Sequence, residues 1–138
     1  MPEQTLPRVP VENWERIRAD WIADVTKLAD DVEAWAIKRG WWVGRESLTL
    51  TEDRIGSYEV PILRLQTPSS RLILEPIARF VMGAEGRVDL AVFPSYHDIP
   101  ILLDSKGWRL RAFEDDGPRG DWSEDAFVNA AIDLADKA

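Results

Sequence analysis

Asp89 and the triplet Asp104-Ser105-Lys106 are the residue types best suited to chemistry in this sequence. Two carboxylates brought together can hold Mg²⁺, and a lysine beside them can stabilise charge developing on a phosphate. The apolar run Ile101-Leu102-Leu103 would carry Asp104 on a buried strand. A second cluster, Ser95-Tyr96-His97-Asp98, contains the single histidine. A serine nucleophile needs an imidazole brought to it across space, which a neighbour in the same short loop does not supply. A metal at His97 would need Asp98, Asp89 or Asp104 to converge on it. Pro94 points instead to a plain loop, with the imidazole bonded to a nearby carboxylate or water. Glu114-Asp115-Asp116-Gly117 lacks the ligand spacing of an EF-hand and reads as a solvated acidic turn.

The spacing of Asp89, Asp104 and Lys106 resembles the restriction-like nuclease pattern. There, an Asp on one strand and an Asp/Glu-x-Lys on the next hold a divalent metal and orient water. The resemblance covers a short stretch and implies a metal-dependent nuclease or phosphodiesterase using those three residues. The chain departs from the pattern after Lys106, where the family expects a helix and Trp108 to Phe113 read as a strand. Asp104-Ser105-Lys106-Gly107 also has the make-up of a type I turn with glycine in the left-handed position, which predicts a hairpin tip.

The elements that would position these residues follow from periodicity. Residues 1–10 carry Pro2, Pro7 and Pro10 and read as an extended arm ahead of a single domain, 11–138. Val11, Trp14, Ile17, Trp21, Val25, Leu28, Val32 and Trp35 recur at helical spacing with no Gly or Pro in 11–39. Gly40 ends that helix. The period then becomes two, and short turns separate five or six strands, as in an antiparallel meander. Pro61, Pro76 and Pro100 mark edges, bulges or bends. Asp121 and Glu124 have capping-box spacing, with Asp121 as the N-cap of a second helix carrying Phe127, Ala130, Ala131 and Leu134. The expected fold class is α+β: a long N-terminal helix and a C-terminal helix packed on a mainly antiparallel sheet, in two layers.

Seven tryptophans is a large number for 138 residues. Trp14, Trp21 and Trp35 fall on the apolar stripe and are expected to fill the helix–sheet interface. Trp41 and Trp42 are adjacent, so in a strand they face opposite sides, and one becomes a candidate partner contact. Charge is uneven. The net charge is −8, and residues 114–138 hold eight acids and two bases, or −6. The acids Glu114, Asp115, Asp116, Asp121 and Asp125 are therefore candidates for contact with a basic surface on another protein.

Composition bounds the rest. Hydrophobic residues make up 45% and charged residues 30%, a globular balance. Cysteine is absent, which excludes a disulfide scaffold, a cysteine nucleophile and cysteine-ligated metals. No apolar run approaches a membrane span, and the first ten residues have no signal-like core, so a cytoplasmic protein is expected, with no membrane partner. The acidity disfavours nucleic acid as a partner. No cofactor or metal is implied. The composition resembles the small acidic chaperones of type III secretion, a resemblance that implies a protein acting by holding another. The expected function is a small acidic protein-binding or accessory module, chaperone-, immunity- or antitoxin-like, with no catalytic site of its own. A homo-oligomer is compatible with this. The alternative is the metal-dependent nuclease built on Asp89, Asp104 and Lys106.

Overall fold

A computed structural model describes residues 11–111 and 118–138. The long helix α1 spans Val11–Lys38. Trp21, Val25, Leu28, Ala29, Val32 and Ala36 are all buried, which is the stripe expected from 3.6-residue spacing. Trp14 and Trp35 pack at its margins. The helix stops where Gly40 takes φ +78°, and the Trp41 N–H then donates to the Ala36 carbonyl at 3.0 Å.

Seven strands follow: β1 (Trp42–Glu52), β2 (Gly56–Gln66), β3 (Arg71–Ala78), β4 (Gly86–Phe93), β5 (Asp98–Asp104), β6 (Gly107–Arg111) and β7 (Pro118–Asp121). They form one antiparallel sheet in sequence order, β1 to β7. The class is α+β as expected, but the strand count is seven, not five or six. The addition is β7, drawn from a Gly- and Pro-containing stretch that reads as loop. The last helix, α2, spans Glu124–Ala135. Its N-cap is Ser123, whose hydroxyl accepts the Ala126 N–H, and not Asp121. Asp121 is still paired with Arg109 across β6 and β7, so the chain is not free to turn until two residues later.

Both helices lie on the same side of the sheet. Leu63, Leu65, Leu72, Leu74, Leu90, Ile99 and Ile101 face them and are buried. An aromatic knot locks the helices together: Trp35 lies 5.9 Å from Phe127 and 5.6 Å from Trp122, and Trp41 lies 5.8 Å from Phe127. A buried polar chain ties α1 to the sheet. The Trp21 indole N–H donates to the Tyr58 hydroxyl at 3.0 Å, and that hydroxyl donates to Glu52. Glu52 also accepts the backbone N–H groups of Arg79 and Phe80, so one carboxylate fixes the chain beyond β3.

The strand faces are not continuous. Tyr58 and Val60 of β2 face the helices, Ile62 faces away, and Leu63 and Leu65 face the helices again. The switch falls beside Pro61, which cannot donate to the ladder. Pro76 sits at a register shift between β3 and β4, as a strand proline should. On the side away from the helices, Ile62, Ile73 and Ala91 form a small second cluster, with Leu48 and Phe93 against it. Among the described residues no helix covers that face.

Candidate functional site

The sequence offers Asp89, Asp104 and Lys106 as one constellation, and the register separates them. In the β4–β5 hairpin Asp89 lies opposite Pro100, and Gly86 lies opposite Leu103. Asp104 is therefore four positions further along the ladder, about 13 Å at about 3.3 Å per residue. A single cation binds its oxygen ligands at about 2.0–2.6 Å, so it cannot bridge that gap. Asp104 instead stabilises its own turn. It accepts the Lys106 backbone N–H at 2.7 Å and pairs with Arg109 at 3.4 Å. That backbone bond, with the Arg109 charge, holds its carboxyl below the ordinary range. Lys106 is exposed in the turn before β6, and a strand follows it where the nuclease pattern needs a helix. Among the described residues no group of three or more His, Asp or Glu side chains could hold a metal ion.

Asp89 has its own environment. It is 9% exposed on the face away from the helices. Arg87 grips it with two hydrogen bonds, Nε to Oδ1 at 2.7 Å and Nη2 to Oδ2 at 2.9 Å, and reaches Asp98 at 3.2 Å. Glu75 of β3 lies directly across from Asp89. Burial pushes the Asp89 carboxyl up to about 6, the neighbouring Asp98 adds to this, and Arg87 opposes it. Arg87 is held still more firmly protonated by its bond to Asp89. The trio is a two-acid, one-base cluster that can take up a proton near pH 6.

Among the described residues the His97 ring is bonded to Ser95 and to no carboxylate. The Ser95 hydroxyl donates to the Lys137 carbonyl, so the contact of 2.9 Å from His97 Nδ1 makes the imidazole the donor. A serine whose proton is already committed to a carbonyl is not activated by that histidine. Asp98, the third member such a triad would need, is turned to Arg87.

Of the partner-contact candidates, Glu114, Asp115 and Asp116 lie outside the described residues. Asp121 ends β7, exposed and opposite Arg109. Asp125 is exposed in the first turn of α2, where an acid is favoured by the helix dipole. Trp41 is half-buried in the aromatic knot. Trp42 is the tryptophan that faces away, and it is 60% exposed.

Trp42 does not stand alone. The registers place Trp42 beside Gln66, Gln66 beside Arg71, and Arg71 beside Phe93, in one row across four strands. Gly44, Arg64, Ile73 and Ala91 form the next row. A depression of about 290 Å³ opens between the Trp42 and Phe93 side chains, lined also by Arg64, Gln66 and Arg71. The Trp42 ring folds back over Gly44, where a Cβ would come within 2.6 Å of it. Tyr96, 55% exposed, stacks edge-on against Phe93 at 4.9 Å. Sequence reasoning singled out Trp42 but not Arg64, Arg71 or Phe93. Their shared parity, opposite to that of the core leucines, was the signal that could have found them. Comparison with family models, curated proteins and solved structures gives no match for this chain.

Proposed function

We propose that this chain is a small acidic protein-binding or accessory module, chaperone-, immunity- or antitoxin-like, that works by holding another protein and has no catalytic site of its own. The observation that carries this reading is Trp42, 60% exposed on a sheet face that no described helix covers, in one strip with Phe93 and Tyr96. Aromatic side chains on such a strip are the usual anchors of protein contacts, because they bury a large area and lose few torsions. The acidic C-terminal region supplies a second element. With eight acids against two bases in 114–138, it favours a partner that also presents a basic surface, and disfavours nucleic acid. The proposed setting is the cytoplasm, a reducing compartment in which a chain without cysteine forgoes no disulfide. No described helix is long and apolar enough to cross a membrane.

The test starts with copurification from the native cell to obtain a stoichiometric partner. Association is then measured for Trp42→Ser and for a variant with Glu114, Asp115, Asp116 and Asp125 changed to Gln or Asn. The reading expects Trp42→Ser to weaken binding at least tenfold with an unchanged melting temperature. It expects the neutralised variant to associate more slowly and with less salt dependence. A partner that binds both variants like the wild type refutes it.

A further inference from the structure

Across β2, β3 and β4 the face away from the helices carries three arginines, and they are not alike. Arg87 is neutralised by Asp89 and Asp98. Arg64 reaches Glu46 at a long 3.5 Å. Arg71 has no ion pair among the described residues and is exposed. In a chain of net charge −8, the least neutralised positive charge on these three strands therefore sits in the groove between two aromatic side chains.

We propose that this groove binds an extended segment of a partner protein with an acidic residue flanked, two positions to either side, by apolar residues. This rests on the reading of the open face as a docking surface and specifies its ligand. Three chemical features select that ligand. The groove is partly apolar, with Leu65 and Leu72 in its lining, and Trp42 and Phe93 wall it. Arg71 and Arg64 offer planar donor forks to a carboxylate in between. The spacing then sets the register of the ligand. Trp42 and Phe93 are three strand spacings apart, about 14 Å at about 4.8 Å each. An extended peptide laid across the strands presents alternate side chains downward, and residues i and i+4 are about 13 Å apart. Apolar side chains at i and i+4 therefore meet the two aromatic walls, and an acid at i+2 meets Arg71.

The same features argue against a polyanion. Glu46, Glu75, Asp89 and Asp98 occupy the neighbouring positions of the face and would repel extended phosphate charge. A volume of about 290 Å³ is small for a nucleotide cofactor. The indole is already held against Gly44, so docking does not have to freeze it.

The test uses a capped heptapeptide with leucine at its second and sixth positions, glutamate at its fourth and serine elsewhere, titrated into the full chain labelled with ¹⁵N. Expected are saturable shifts of the Trp42 indole N–H and the Arg71 Nε–H. A peptide with glutamine at the fourth position, or with the glutamate moved to the third, should bind at least fivefold more weakly. Arg71→Gln should abolish that preference while leaving residual binding, and Trp42→Ser should weaken all peptides alike; a thermal melt of each variant confirms folding. Equal binding of the glutamate and glutamine peptides overturns the proposal. So do equivalent shifts produced by inorganic phosphate at the same concentration, or by raising the concentration of the protein alone, which would mark a second copy as the occupant. Failure of the peptides while Trp42→Ser still weakens the native partner overturns the ligand class but not the docking face. Failure of both overturns the docking face as well.

Discussion

Replacing Asp89 by asparagine keeps the side-chain volume and an acceptor for Arg87 but removes a titrating group from the sheet. Burial, reinforced by Asp98, lifts this carboxyl from 3.8 to about 6 in the folded chain, against the pull of Arg87. A raised value means that the folded state binds the proton more tightly than the unfolded state. The resulting stabilisation is complete below the unfolded value, near pH 4, and is lost as the pH rises through about 6. The rise corresponds to an upper bound of about 3 kcal/mol at full expression, reduced by solvent screening and shared across the Asp89–Asp98 pair. The assay is urea unfolding of wild type and Asp89→Asn at about pH 4.5 and about pH 7.5. Carboxylates remote from the Asp89–Asp98 pair titrate alike in both proteins and cancel in the difference. The stability of the variant relative to wild type should rise by about 1–2 kcal/mol between the two pH values. Parallel pH profiles, within about 0.5 kcal/mol, would refute the placement of Asp89 in a desolvated acid pair.

Two further outcomes test the scaffold. Trp21→Ala should cost about 3–5 kcal/mol as a large-to-small change at a residue 1% exposed that also donates to Tyr58; a loss below about 1 kcal/mol in chemical denaturation would mean the ring is not in the core. Gly107→Ala should cost about 1 kcal/mol or more through backbone strain alone, since φ is +119° and no atom lies within 4 Å of the added Cβ; a variant as stable as wild type would refute that backbone conformation.

The parts of the fold that were legible in the sequence are those where one strong local signal met no competitor. The stripe from Trp21 to Ala36 has a single period and no breaker, so helix, buried face and C-terminal glycine could all be placed. The turn at Asp104–Gly107 was fixed by residue chemistry, because a left-handed position selects glycine. Elsewhere two signals competed. Pro118 and Gly120 speak for a loop, yet both are strand residues in β7, opposite Arg111 and Leu110. Their edge position explains the tolerance: no described strand lies beyond β7, so residues there have a ladder on one side only. Asp121 and Ser123 are both good N-caps, and local preference cannot choose between them. Pairing with β6 keeps Asp121 extended and passes the cap to Ser123.

The candidate site was harder to see because its geometry belongs to register and not to spacing. Asp89 and Asp104 lie on adjacent strands, which makes them look like a pair. A hairpin closed around residues 94–97 puts Asp89 near the turn and Asp104 at the far end of the strand, so its own symmetry separates them. The reverse holds for Trp42, Arg71 and Phe93. They are far apart along the chain, but two hairpins and a third pairing bring them into a single row. Period-two patterning assigns Arg71 and Phe93 to the face opposite the core leucines, yet it cannot say which residues stand side by side. That needs the turn at each strand end, since a slip of one residue would turn every side chain to the other face. The β1–β2 pair has such a switch beside Pro61, so a count from the hairpin tip at 53–55 would put Trp42 on the helix side. The switch beside Pro61 thus leaves Trp42 and Arg64 on the outward face, where Arg71 and Phe93 already stand.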